Sequence, residues 1–132
     1  MSRTPVGHLH TPGFLNGQPV AIVVDTGASA TIVDLGFCQA RGLTTRETAA
    51  KGGGAGGMSL TLHLLENARL QLGAATLSPG GIRAMDLSHV NKGLAQKGAE
   101  PIQMVIGADI LTRHEAVIDY ATLSLFLRVA KT

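Results

Sequence analysis

The eleven residues Pro19-Val20-Ala21-Ile22-Val23-Val24-Asp25-Thr26-Gly27-Ala28-Ser29 decide how the rest of the chain is read. From Pro19 to Val24 the run is apolar and rich in β-branched side chains, the pattern of a strand covered on both faces. Asp25-Thr26-Gly27 ends it abruptly. A carboxylate placed directly after such a run is costly if it leaves water ionised, so it is expected to be paired, hydrogen-bonded or functional. The plainer alternative is an Asp that opens a tight turn and is satisfied by local backbone amides.

Just upstream, Asn16-Gly17 is a hairpin signal, because a type I′ turn needs positive φ at both positions. Downstream, residues 33–40 are expected as a short helix stopped near Gly42, and residues 44–51 as a loop or edge strand. Gly52-Gly53-Gly54-Ala55-Gly56-Gly57 is too glycine-rich to be rigid by itself. Leu60, Leu62 and Leu64 alternate with polar neighbours as a half-buried strand does, Glu66-Asn67 reads as a turn, and residues 69–72 return. Residues 76–85 are expected as another strand, interrupted at Pro79-Gly80-Gly81. Leu87, Val90, Leu94 and Ala95 have helical spacing, with Ser88 available near the start. Met104-Val105-Ile106 reads as a buried strand ending at Gly107, and residues 108–113 as one or two helical turns. Residues 116–118 and 123–127 complete the pattern as a hairpin around Asp119-Tyr120-Ala121. The expectation is a small all-β fold with one or two short helices, a single domain over residues 1–132.

A chain of 132 residues, 45% hydrophobic and 15% charged, is globular and the size of one domain. So small a unit leaves much apolar surface wet, which favours self-association. Eleven Lys and Arg against nine Asp and Glu leave a net charge of +2 without basic runs. With one Tyr, three Phe and no Trp there is little to stack on bases, so no nucleic-acid partner is expected. No stretch has the apolar length of a membrane span, and no apolar segment follows Met1-Ser2-Arg3-Thr4-Pro5 as in a signal peptide. Cytoplasmic is therefore the default compartment. Cys38, the one cysteine, excludes an intrachain disulfide framework and a Cys-based zinc knuckle, and is expected as a small buried hydrophobe on a short helix.

Several motifs fail on context. Gly52, Gly54 and Gly57 satisfy G-x-G-x-x-G, yet no buried strand precedes them and no helix follows. Gly57 leads into Met58-Ser59 where a phosphate-binding loop needs Gly-Lys-Ser/Thr. Gly27-Ala28-Ser29-Ala30-Thr31 lacks the closing glycine of a nucleophile elbow. His8 and His10 share a face if extended, but no third ligand follows at a recognisable spacing, so no metal site is expected.

Taken in order, these segments resemble the retropepsin-like (retroviral-type) aspartic proteases, including their cellular and bacterial members. Asp25-Thr26-Gly27-Ala28-Ser29 looks like the catalytic loop, and Gly53-Gly54-Ala55-Gly56-Gly57 looks like the glycine-rich flap tip. Val105-Ile106-Gly107-Ala108-Asp109-Ile110-Leu111 is similar to the apolar-apolar-Gly element and the helix after it. Residues 116–127 resemble the closing hairpin of bacterial members, while the helix expected over residues 87–96 departs from the compact viral form.

The resemblance implies a small closed β-barrel-like fold with one lobe per chain, and an aspartic endopeptidase active as a homodimer. Asp25 is the implied catalytic residue. The chain has one Asp-Thr-Gly and no Asp-Ser-Gly, and the family pattern starts a helix at Asp109. The second carboxylate is thus expected to be Asp25 of another copy, the two sharing one proton. Thr26 looks like the hydroxyl that ties the two loops across the dimer axis, and Gly27 lets backbone approach without a Cβ. At Ala28 a hydroxyl found in two-lobed relatives is missing, which implies activity extending toward weakly acidic or neutral pH. The flap is expected to close over an extended peptide or protein substrate, pairing with it as an added strand. No cofactor and no metal are implied. The alternative reading is a non-proteolytic dimeric peptide-binding or regulatory module on the same fold.

Overall fold

The computed structural model describes residues 1–53 and 59–129. Ten strands and three short helices follow one another along the described residues. They are β1 (Ser2–Arg3), β2 (Leu9–Leu15), β3 (Gln18–Val24), β4 (Ile32–Asp34), α1 (Leu35–Ala40), β5 (Arg46–Gly53) and β6 (Ser59–Leu72). Then come β7 (Ala75–Met85), α2 (Ser88–Gln96), β8 (Met104–Ile106), α3 (Ala108–Arg113), β9 (Val117–Asp119) and β10 (Ser124–Phe126).

Strands pair in the order β2-β3-β8-β4-β7-β6, and a further pairing of β2 with β6 closes the ring. The result is a six-stranded barrel, with β1 added beside β2 and β5 beside β6, and β9–β10 as a separate hairpin. Closure removes the exposed edges that an open sheet would present. Two pairings are parallel, β3 with β8 and β4 with β7, so the short β8 and β4 are threaded between strands from distant parts of the chain.

The β2–β3 hairpin turns at Asn16 and Gly17, with φ of 48° and 81°, as the type I′ signal requires. β3 is covered on both faces from Ile22 to Val24, whereas Pro19, expected buried with the rest of the apolar run, is exposed and Ala21 half-buried. Ile22 and Val24 point into the barrel with Leu15, Leu70, Met104 and Ile106, while Val23 points outward into a second cluster with Met85, Leu87, Leu94 and Ile102. Each such fully buried side chain stabilises the fold by about 1.5–3 kcal/mol before conformational entropy is counted. The second cluster exists because α2 and the segment after it lie against the outer face of the barrel. Asn91 fixes that segment, its amide donating to the Ile102 carbonyl at 3.0 Å and its Oδ1 accepting from the Ile102 N–H at 2.6 Å.

Local expectations fail where the barrel imposes long bent strands. Glu66-Asn67 is no turn: β6 runs through it, with Asn67 at φ 54° and the register shifting between Leu65 and Ala68. Likewise β7 continues through Pro79-Gly80-Gly81, and Gly80, at φ 85°, lies opposite Ala68. The two irregularities face each other and bend the ribbon so that it can close on β2. Residues 33 and 34 belong to β4 and not to a helix, because Val33 pairs with both β7 and β8. Asp34 then caps α1, its carboxylate accepting from the Phe37 N–H at 3.2 Å. Residues 46–53 are the edge strand of the two options, β5. Ser88 does not cap α2; its own N–H donates to Asp86 Oδ1 at 2.9 Å. Among the described residues there are three short helices where one or two were expected.

Candidate active site

β3 ends at Val24, and the chain leaves the barrel at Asp25. Residues 25–28 are then held at one end by the last residue of β8 and at the other by the segment that follows it. The Asp25 N–H donates to the Ile106 carbonyl at 2.9 Å, and the Ala108 N–H donates to the Ala28 carbonyl at 2.7 Å. Between those bonds sits Gly107, where a Cβ would lie 2.7 Å from Ala28 O and 2.8 Å from the carbonyl carbon and oxygen of Ala30. Only a residue without a side chain allows the two backbones to approach this closely. Within the loop, the Gly27 N–H donates to Asp25 Oδ1 at 2.9 Å, and the Ala28 N–H donates to the Asp25 carbonyl at 3.2 Å.

Two residues that sequence reasoning left without a role complete this clasp. Thr31 is 3% exposed, and its hydroxyl donates to Asp109 Oδ1 at 2.7 Å while accepting from the Gly107 N–H at 3.1 Å. Its N–H donates to Asp109 Oδ2 at 3.1 Å, and the Ile110 N–H donates to Oδ1 at 2.8 Å. Partial burial pushes the Asp109 carboxyl up, but the Thr31 and Ile110 hydrogen bonds outweigh it and hold the group below the ordinary carboxylate range. A depressed value contributes stability above the unfolded pKa, and that contribution is lost as pH falls through the folded one. Asp109 is therefore an ionised brace in α3. An acid in the first turn of a helix directly after Gly107 was the available signal; its partner, 78 residues away, was not.

Of the residues expected at the site, the structure brings Asp25, Thr26, Gly27 and Ala28 into one braced loop. Asp25, Thr26 and Gly27 are exposed in the single chain and Ala28 is half-buried. This corrects one expectation: the Asp25 carboxylate does not leave water, because the strand stops one residue before it. Thr26 does not bond its own turn, and its hydroxyl has no partner among the described residues. It opens onto a groove of about 460 Å³ shared with Leu111, Thr112 and Ala116. Gly53 ends β5, paired opposite Ser59, so β5 and β6 form a hairpin arm. Gly54, Ala55, Gly56 and Gly57 lie outside the described residues. On the β6 side of that arm, Leu60 and Leu62 pack with the cluster that contains Val23, Ile32 and Val105. The arm and the Asp25 loop thus flank one apolar face.

Cys38 is fully buried, and burial, followed by the nearby Asp34 charge, pushes its thiol up to about 11. It is a core hydrophobe and no nucleophile. Among the described residues no group of three or more His, Cys, Asp or Glu could hold a metal ion, and no helix is long and apolar enough to cross a membrane. An exposed carboxylate on a rigid loop can accept a proton from water. While ionised to do so it has no proton with which to polarise the carbonyl under attack; a second, protonated carboxyl beside it would supply one.

The comparisons with known proteins agree on the fold. The retroviral protease-like domain of Ddi1 from Leishmania major superposes with a TM-score of 0.63 at 18% identity, over 91% of this chain and 87% of that one. EIAV protease, complexed with the inhibitor HBY-793, gives a TM-score of 0.62 at 16% identity, over 85% of this chain and 92% of that one. At such identities the likeness speaks for the fold, a retropepsin-like barrel. No curated protein matches by sequence. The aspartyl protease family model does match, from residue 11 to residue 110, a span that holds the Asp25 loop, the β5–β6 arm and the Gly107–Asp109 brace, and the chain belongs to that retropepsin-like family.

Proposed function

We propose that the chain is an aspartic endopeptidase active as a homodimer, one lobe per chain, with Asp25 as its catalytic residue. The observation that carries this reading is the exposed Asp25 carboxylate on a loop braced at both ends, with no second carboxylate hydrogen-bonded to it among the described residues. Asp109, the nearest rival in sequence pattern, is committed to Thr31. A second copy supplies what is missing. Two Asp25 carboxylates close together share one proton, because both cannot ionise comfortably. The ionised one takes a proton from water as the water oxygen attacks the scissile carbonyl. The protonated one stabilises the tetrahedral oxygen and passes a proton to the amide nitrogen as the C–N bond breaks. Neither cofactor nor metal enters.

Thr26, exposed and unpartnered, joins the two loops across the axis. Gly27 permits close backbone approach, and the β5–β6 arm, described up to Gly53 and from Ser59, is the flap that closes over an extended peptide. The methyl of Ala28 offers no hydrogen bond to the catalytic carboxylate, so activity extends into weakly acidic or neutral pH.

The test is digestion of a mixed peptide library by the full chain and by Asp25→Asn, with products read by mass spectrometry. Wild type is expected to cut and Asp25→Asn to fall to background while sedimenting as the same dimer. A wild type that retains peptides as well as the variant and cuts none would establish a binding module instead.

A further inference from the structure

A row of neighbouring residues crosses the barrel wall beside the Asp25 loop. Val23 on β3 lies opposite Val105 on β8, Val105 opposite Ile32 on β4, and Ile32 opposite Arg83 on β7. The first three are apolar and belong to the cluster flanked by the β5–β6 arm. The fourth is an exposed cation. Arg83 opens into a cavity of about 420 Å³ whose near wall is Ser29-Ala30-Thr31, the direct continuation of the Asp25 loop, and whose far side carries Arg113 at the end of α3.

These two guanidinium groups have no carboxylate within salt-bridge distance among the described residues, whereas Arg46 and Arg128 are paired with Glu66 and Glu115. The one acid that lines the cavity is Asp109, and both of its oxygens already accept hydrogen bonds from Thr31 or Ile110. Leu64, Ile82 and Ile110 add apolar wall. A cavity with apolar sides and two unpaired guanidinium groups suits a short aliphatic stem that ends in a carboxylate, because guanidinium forks bind carboxylates bidentately.

We propose that this cavity is a side-chain subsite that selects peptides carrying an acidic residue near the bond to be cut. The proposal rests on the peptidase reading of Asp25. From Val105 to Arg83 is two strand spacings, about 10 Å, or roughly three residues of extended peptide. The acidic side chain therefore belongs about two to four residues from the scissile bond.

The test is cleavage-site profiling with a degenerate peptide library, comparing the full-length wild type with the double variant Arg83→Gln, Arg113→Gln. Wild type is expected to enrich Asp and Glu over Asn and Gln at those positions by roughly two- to fivefold, the range for exposed charged pairs. In the double variant the enrichment disappears, while cleavage of peptides without acidic residues keeps its rate. A charge reversal, Arg83→Glu with Arg113→Glu, moves the preference to Lys and Arg. No acidic enrichment in wild type, or enrichment that survives the double variant, overturns the proposal. Should wild type cut nothing, the peptidase reading fails by itself. The subsite is then judged by retention of matched Glu- and Gln-containing peptide pools on the immobilised chain, and equal retention of both pools overturns it.

Discussion

Gly107 is the residue on which the site's rigidity depends. Its N–H meets the Thr31 hydroxyl, and its missing Cβ leaves room for the Ala28 and Ala30 backbone. All three atoms that a methyl would strike are backbone atoms, so no rotamer change relieves the contact. Gly107→Ala is expected to lower stability by about 1–3 kcal/mol, as overpacking in a tight site does. It should also reduce peptide cleavage more than the stability loss explains, because the Asp25 loop is what moves. Urea denaturation followed by initial-rate assays checks this; an unchanged midpoint and rate would show that the clasp is looser than its distances. At this scale the break at Asp25 was legible from the abrupt end of an apolar run, while Thr26 and Gly27 drew their expected roles from the family resemblance. Thr31 was not, since nothing around a lone Thr announces a carboxylate that a different segment will deliver.

Among the elements, Asp34 couples two helices that the sequence presents as unrelated. One oxygen caps α1 through the Phe37 N–H, and the other accepts from the Leu87 N–H at 3.0 Å, just before α2. Asp34→Ala is expected to cost about 1–2 kcal/mol through the lost cap and the orphaned Leu87 N–H. Amide hydrogen exchange should quicken at the first turn of α1 and at Leu87 while the β3–β8 core keeps its protection. Exchange that stays slow at Leu87 would mean that the second cluster holds α2 without this bond. β6 was legible from period-two alternation, β3 and β8 from short apolar runs and the closing hairpin from its turn, whereas the residues of β4 were read as helix. The irregularity at Asn67 was misread as a chain reversal and that at Gly80 as a break in the strand, because a residue with positive φ looks the same in a turn and in a bend.

For the whole molecule, exposed features run from the Asp25 loop to the closing hairpin. Thr26 shares an open groove with Ala116, the residue before β9, and β9 and β10 leave Val117 and its cross-strand neighbour Phe126 uncovered at 59% and 58% exposure. If two copies make one enzyme, activity per protomer must fall on dilution as dimers separate. Thr26→Ala is expected to raise the concentration of half-maximal activity, with the limiting rate at high concentration falling less. Activity assays paired with sedimentation over the same concentrations check it. Constant activity per protomer at dilutions where only single chains sediment would refute the shared site.

The sequence by itself determined the strand-rich class, the Asn16-Gly17 hairpin, the Asp25-Thr26-Gly27 break and the apolar ending at Gly107. All of these are written in torsional preferences and alternation between near neighbours. Only the tertiary structure decided that β2 closes on β6, that Thr31 meets Asp109, and that Arg83 ends a row begun at Val23. Alternation with period two says which face a residue takes but is unchanged by a slip of two. The partner of each strand is therefore chosen by how distant segments pack around one core.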